Sequence, residues 1–202
     1  MAGLTVDDVK RGERLRAVTD NFFFWQGLRF APIGVAMIVL AFVTAREDLD
    51  ERVANGLLIA TVAAAVVAIR IIGKTYHRDY GAVRGIPGAH SRRSRFKWLL
   101  VYPIMFAAVI ADLAIETLPV MLSGVTWAIG LVLYRASTGG ERNHYLVLAA
   151  ALAALSLGPL AIAVTAKQMV TVMLLVLGAG YTVAALLDDK ELRELMPGAP
   201  TA

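Results

Sequence analysis

"VANGLLIATVAAAVVAIRIIGKTYHRDYGAVRGIPGAHSRRSRFK", residues 53–97, joins a long apolar run to a segment rich in positive charge. Its first part, residues 53–73, contains Arg70 as its single charged residue. A run of about 20 apolar residues matches the roughly 30 Å hydrocarbon core of a bilayer. Its second part, residues 74–97, holds seven of the chain's 20 lysines and arginines. The stretch therefore predicts a membrane-spanning helix followed by a loop on one side of the membrane.

The whole chain shares this apolar character. Of its 202 residues, 58% are hydrophobic, whereas a soluble domain has about 45–50% apolar residues. The chain has no cysteine, which excludes disulfides, thiolate metal sites and thiol catalysis. Its net charge is +4, but the positive residues cluster in the predicted loops of one side. Membrane topology therefore explains the charge, and we expect no nucleic-acid partner.

The hydropathy pattern predicts an all-α polytopic membrane protein with six transmembrane helices, arranged as three hairpins. Each apolar run must be a helix, because lipid offers no hydrogen-bond partners to an open backbone. This divides the chain into an N-terminal segment (1–21), a transmembrane domain (22–187) that includes the basic loop 74–97, and a C-terminal tail (188–202). The predicted spans are residues 22–45, 53–73, 98–118, 120–134, 145–164 and 169–187.

The distribution of lysine and arginine predicts the orientation. Fifteen of the 20 lie in the two terminal segments and in the loops on their side of the membrane, while Arg46, Arg52 and Lys167 lie in the opposite loops. Positively charged loops remain in the cytoplasm. We therefore expect a multi-pass protein of the cell (inner) membrane with both termini cytoplasmic.

The basic end of the 74–97 loop is typical of a segment that contacts lipid headgroups. Each basic residue near an anionic membrane surface contributes about 1 kcal/mol of attraction. The predicted partners are thus the anionic lipids of the cytoplasmic leaflet. The residues expected to contact them are Arg92, Arg93, Arg95 and Lys97.

The first part of the loop, "YHRDYGAV" from Tyr76 to Val83, predicts that the second helix continues into the cytoplasm. Tyr76 and Tyr80 are spaced i,i+4 and share one helix face, on which they can stack. Gly81 follows as a suitable C-cap. We expect Tyr76, Arg78 and Tyr80 to contact lipid or a partner at the cytoplasmic side.

The same string resembles a YYxRxFGxV signature of small uncharacterised bacterial membrane proteins with six helices. The ending "LLDDKELRELMP", residues 186–197, is similar to their closing segment, although Asp189 stands where those proteins often have histidine. The resemblance implies a membrane fold with this cytoplasmic loop. It implies no activity and no cofactor.

Catalytic motifs of polytopic enzymes do not fit this chain. "PGAH" ending at His90 is superficially similar to a lipid-phosphate phosphatase motif, but the only later histidine is His144, and no aspartate follows it by a helical turn. The aspartate array of CDP-alcohol phosphotransferases and the HExxH motif of metalloproteases are both missing from the sequence. We therefore assign no catalytic residue, metal or cofactor, including to His77 and His90, and favour a non-enzyme.

Two carboxylates in the third predicted span are the best candidates for a functional site. Asp112 and Glu116 are spaced i,i+4 and share a helix face. An ionisable residue within the membrane is costly and often functional, so the pair is a candidate cation or proton site. Alternatively, both mark the outer interface, are hydrated, and precede a turn at Pro119. The nearby polar candidates are Thr117, Ser123 and Thr126, together with Thr165 or Gln168.

Two functional hypotheses follow. The first is a non-enzymatic accessory or sensor-like subunit that acts through lipids or through protein partners, either another membrane protein or further copies of itself. The alternative is a small cation- or proton-coupled transporter or channel that uses Asp112 and Glu116.

Overall fold

The computed structural model describes most of the helical part of the chain. The described residues are 12, 18–19, 22–46, 48–80, 104–105, 107–112, 114–115, 120–138, 142–161 and 165–196. Every regular element among them is an α-helix, which confirms the all-α prediction. The basic residues Arg92, Arg93, Arg95 and Lys97, the predicted cap Gly81 and the carboxylate Glu116 lie outside the described residues.

Seven helices can be bounded in these ranges. A further segment between the third and fourth of them is helical at residues 104–105, 107–112 and 114, and we call it the Asp112 segment. The bounded helices are α1 (Phe22–Trp25), α2 (Gly27–Ala45), α3 (Glu51–Tyr80), α4 (Leu122–Thr138), α5 (Asn143–Ser156), α6 (Gly158–Ala161) and α7 (Ala166–Leu195).

Four of the described stretches are long and apolar enough to cross a membrane, which indicates an integral membrane protein. They are Gly27–Ala45, Glu51–Tyr80, Asn143–Leu160 and Lys167–Leu195. They correspond to the first, second, fifth and sixth predicted spans. Helices α3 and α7 have 30 residues each, or about 45 Å of helix. They therefore extend beyond the roughly 30 Å hydrocarbon core.

Two of the predicted apolar runs are interrupted. Gln26, with φ −76° and ψ 67°, separates α1 from α2. Leu157 separates α5 from α6 two residues before Pro159. Proline cannot donate a backbone hydrogen bond and its ring crowds the preceding turn, so a bend at this place is expected.

The closest contact between helix backbones joins α2 and α7. A Cβ built on Gly34 would lie 2.6 Å from the carbonyl oxygen of Gly178 and 2.5 Å from Oγ1 of Thr182. No side chain larger than hydrogen fits at Gly34 unless α7 moves. Small residues allow such close packing, which is the main source of helix association in lipid.

Around this pair, one apolar core joins α2, α4, α5, α7 and the Asp112 segment. Helix α7 contributes the central residues Met173 and Leu177, and both are almost fully buried. Helix α3, by contrast, leaves most of its apolar side chains exposed and packs mainly on α2. Other buried members of the core are Met37, Met105, Trp127, Leu131, Tyr145, Leu148 and Leu152.

The helix ends meet in two groups. The start of α2 and the ends of α3 and α7 meet the start of α5 around Asp188, and we call this the Asp188 end. Asp112 meets the start of α4 near Met173 in the first half of α7, and we call this the Asp112 end. The polar chemistry of the described residues is concentrated at these two ends.

Candidate functional site

Asp188 and Asp189 occupy the end of the apolar run of α7. Consecutive residues on a helix point about 100° apart, so the two carboxylates contact different neighbouring helices. Both side chains are buried in the bundle. Buried charges need partners, because their desolvation is otherwise very unfavourable.

Asp188 faces the start of α5. Arg142, directly before that helix, places Nε 3.5 Å from Oδ1 of Asp188, and the two side chains are 0% and 1% exposed. His144 Nε2 lies 3.1 Å from the same oxygen. The Tyr145 hydroxyl donates a hydrogen bond of 2.8 Å to Oδ2. Three of the four residues 142–145 thus converge on one carboxylate.

Aromatic rings complete the surroundings of Arg142. Its guanidinium carbon lies 3.7 Å from the centroid of the Trp25 ring in α1. The Tyr134 and Tyr145 rings lie at 5.8 and 6.0 Å. The negative face of an aromatic ring attracts a cation, and more strongly where water is excluded. Arg142 therefore fixes α1 against the start of α5.

Asp189 faces α3. The Tyr76 hydroxyl donates a short hydrogen bond to Oδ1 of Asp189 and accepts one of 3.2 Å from the backbone N–H of Leu28. That N–H belongs to the first turn of α2, where backbone donors have no partner within the helix. Arg193, one turn later in α7, donates to Oδ2 at 2.8 Å. One tyrosine hydroxyl thus links α2, α3 and α7.

The tyrosine face of α3 is positioned as the i,i+4 spacing predicts. The Tyr76 and Tyr80 rings stack with centroids 5.9 Å apart and an interplanar angle of 22°. Tyr76 is only 3% exposed and lies inside the bundle, while Tyr80 is partly buried. Arg78 is exposed and pairs with Asp79 at 3.3 Å. Of these three predicted contact residues, Arg78 thus offers the most surface.

Asp112 forms a second, separate cluster at the opposite end. It is 3% exposed, so the structure has it buried rather than hydrated at an interface. Its oxygens accept 2.8 Å hydrogen bonds from the backbone N–H groups of Leu122 and Ser123, and the Ser123 hydroxyl donates a further short bond. These are first-turn donors of α4, where a negative charge is also favoured by the helix dipole. Asp112 therefore acts as a cap for α4.

Neither cluster has the composition of a metal centre. Within the part of the chain that the structure describes, no three histidine, aspartate or glutamate side chains converge on one point. Asp188 is already faced by Arg142 and His144, and Asp112 by three donors of α4. The arrangement can hold helices together at both ends of the bundle.

The sequence interpretation missed the cluster around Asp188. It counted Arg142 only among the charges that set the topology, and considered Asp188 and Asp189 only in comparisons with motifs of other proteins. A usable signal existed, because an acidic pair ends one apolar run and "RNHY", residues 142–145, begins the run before it. Opposite charges at the same membrane depth on consecutive spans are candidates for pairing.

Comparison with known proteins gives no family assignment. No family model matches the chain, and neither a curated protein nor a solved structure is significantly similar to it. The class of protein therefore rests on the fold, which is that of an all-helical membrane protein with a buried polar cluster at each end. The resemblance of residues 76–83 to a bacterial signature stays a prediction.

We predict that Asp188→Asn destabilises the protein by about 3 kcal/mol, because it removes the counterion of a fully buried arginine. Asparagine keeps the size of the side chain and can still accept from Tyr145. The measurement is thermal or denaturant unfolding in detergent, followed by tryptophan fluorescence, since Trp25 lies against Arg142.

The matched control is Lys190→Gln in the same helix. The side chains of Lys190 and of its partner Glu194 are 75% and 67% exposed, and an exposed ion pair contributes about 0–1 kcal/mol. Equal losses from both substitutions would show that burial does not govern the Asp188 cluster.

Proposed function

We propose that this chain is a non-enzymatic accessory or sensor-like subunit of the cell (inner) membrane, with six spans in three hairpins and both termini cytoplasmic. In this topology the Asp188 end faces the cytoplasm and the Asp112 end faces outward. The proposed subunit acts through contacts at its cytoplasmic end, with anionic lipids and with a second membrane protein or a further copy of itself.

Two observations support α4 as a further span. It has 17 residues, which is at the short end of the range of about 17–25 for a span. It begins at the Asp112 end, where the Asp112 segment meets it, and α5 begins at the Asp188 end, which favours a crossing of the bundle between them. The Asp112 segment is the proposed remaining span, since α3 before it ends at the Asp188 end.

The observation that carries the functional proposal is the mutual pairing of the buried charges. Asp188 is paired with Arg142, Asp189 with Tyr76 and Arg193, and Asp112 with the first turn of α4. A transport or catalytic site needs polar groups that remain open to a substrate, usually in a concave pocket. Here the described buried carboxylates are used to hold helices together.

The Asp188 end offers a surface for partners. Arg78 and Lys190 have side chains that are mostly exposed, and Lys74 and His77 are exposed on the last turns of α3. Of these residues, Lys74, His77 and Arg78 belong to the segment predicted as the basic loop, 74–97. Because one cluster joins the ends of four helices, a partner that displaces any of these ends changes the packing of the others. This coupling is the basis of a sensor-like role.

The alternative, a cation- or proton-coupled transporter, depends on Asp112 and Glu116. It is less well supported, because Asp112 already accepts hydrogen bonds on both oxygens from a helix that needs a cap. A cation at this carboxylate has to compete with those donors.

The orientation predicts which engineered cysteines are accessible from outside. The chain has no cysteine of its own, so single substitutions give unambiguous labelling. Asp50→Cys, in the exposed turn before α3, should react with an impermeant maleimide in intact cells. Lys190→Cys at the Asp188 end should react only after the membrane is permeabilised. The reverse pattern would invert the proposed topology.

The accessory role predicts a protein neighbour at the Asp188 end. A photo-crosslinking residue at Arg78, irradiated in native membranes, should give one discrete adduct with a protein. The control position is Val67, which is exposed in the middle of α3 and should contact lipid only. Lipid adducts alone at Arg78, or the same protein adducts at both positions, would contradict an accessory subunit.

The proposal also predicts how Asp112→Asn behaves. As the cap of α4, Asp112 contributes charge-assisted hydrogen bonds, so the substitution should lower stability by about 2 kcal/mol. In proteoliposomes with a pH gradient, the wild-type protein and the variant should both show no flux of protons, sodium or potassium above empty vesicles. A wild-type flux that Asp112→Asn abolishes, with stability unchanged, would establish the transporter instead.

A further inference from the structure

An apolar cavity of about 530 Å³ lies between α2 and α3. Among the described residues that line it, Thr61 carries the only side-chain polar group, and the others are aliphatic. They are Leu28, Ala31, Pro32, Val35, Ala36 and Val39 of α2, with Ala64, Ala65, Ala68 and Ile72 of α3. A buried water needs about two to four polar partners, so this lining is suited to hydrocarbon and not to water.

The length of the cavity matches one leaflet of a bilayer. Its lining runs from Leu28 to Val39 on α2 and from Thr61 to Ile72 on α3. Eleven helical steps span about 16 Å, and half of the hydrocarbon core is about 15 Å. A transmembrane helix from a second copy would need a groove of twice this length.

The cavity ends beside positive charge. Leu28 and Ile72 line one end of the cavity, and they are followed in the sequence by Arg29 and Gly73 respectively. The Arg29 guanidinium lies against Gly73, where a built Cβ would be 3.1 Å from its central carbon. Arg70 and Lys74 are exposed within a turn on the same helix. An apolar cavity with a cationic end is complementary to a lipid with a negative headgroup.

Arg29 retains hydrogen-bonding capacity for such a headgroup. One terminal nitrogen donates to the Gln26 side chain at 3.0 Å, and the guanidinium lies 4.6 Å from the Phe23 ring centroid. Its Nε–H is buried against Gly73 and makes no hydrogen bond to the described residues, so the donors available to a phosphate are those of the terminal nitrogens. Arginine is suited to phosphate because its planar guanidinium presents several donors at once.

We propose that this cavity binds one acyl chain of an anionic phospholipid, and that Arg29 binds the phosphate of that lipid. The site is separate from the basic cluster of Arg92, Arg93, Arg95 and Lys97 and does not rest on the accessory role. With the proposed orientation, the bound lipid belongs to the cytoplasmic leaflet. It fills the space that the small facing residues of α2 and α3 leave between the two helices.

The test is native mass spectrometry of the full-length protein, released from nanodiscs of equal parts phosphatidylglycerol and phosphatidylcholine. The wild type should retain one phosphatidylglycerol per chain, in preference to phosphatidylcholine by about tenfold, the equivalent of one charge-assisted hydrogen bond. Arg29→Gln should bring this ratio close to one. Arg52→Gln, at the far end of α3, should leave it unchanged.

A second pair of variants tests the cavity itself. Ala36→Leu with Ala65→Leu fills the space and should abolish retention of the lipid. The matched control is Ala60→Leu with Ala63→Leu, on the exposed side of α3, which should retain lipid as the wild type does. Unfolding temperatures of both pairs show whether the fold is kept, and the Arg29 comparison does not depend on them.

Three results would overturn the proposal. They are equal retention of the two lipids by the wild type, undiminished retention in the filled variant, and a dimer in the wild-type spectrum that the filled variant loses. The last would assign the cavity to a second copy of the chain. Crosslinking at Arg78 is an independent measurement, so failure of the lipid site and failure of the accessory role can be told apart.

Discussion

The buried ion pair between Arg142 and Asp188 is the interaction on which the rest of the Asp188 end depends. Both groups have left water completely, and their attraction must offset a desolvation cost of several kcal/mol for each ion. It does so with additional partners, since Tyr145 donates to the carboxylate and Trp25 covers the guanidinium. The pair thereby requires the start of α5, the end of α7 and the short helix α1 to remain together.

Close helix packing makes this pairing possible. Gly27, at the start of α2, lies so near α7 that a Cβ there would be 2.1 Å from the carbonyl oxygen of Ala185 and 2.7 Å from Cβ of Asp188. This approach brings the first turn of α2 level with the two carboxylates. Tyr76 can then reach both Leu28 and Asp189 with one hydroxyl. Gly27 therefore determines which polar groups meet, although it has no side chain that could form a hydrogen bond.

The sequence predicted what depends on local composition and missed what depends on contacts across the bundle. The apolar runs that correspond to α2, α3, α5 and α7 were predicted because hydropathy directly indicates whether a segment is suited to lipid or to water. The stacking of Tyr76 on Tyr80 was predicted because both lie on one helix with a fixed repeat.

The pairing of Arg142 with Asp188 joins residues that are 46 positions apart, and their contact depends on how α5 and α7 are arranged. Counting charges by loop treats each of them as hydrated, which hides a pair that is buried. Asp112 was predicted only in part. Its special position was evident from the apolar residues around it, but its role as a cap depends on where α4 begins.

The spacing of the two polar clusters along α7 relates the bundle to the thickness of its membrane. The cluster of Asp112 lies level with Met173, whose sulfur is 3.2 Å from the Ser123 hydroxyl. Asp188 follows 15 residues later, about 22 Å along the helix axis, a distance shorter than the roughly 30 Å thickness of a hydrocarbon core. Longer lipid chains move both clusters deeper into hydrocarbon, where unpaired groups are least tolerated, and shorter chains admit water to them. The acyl chain length of the surrounding lipid is thus a variable that acts on both ends of this protein at once.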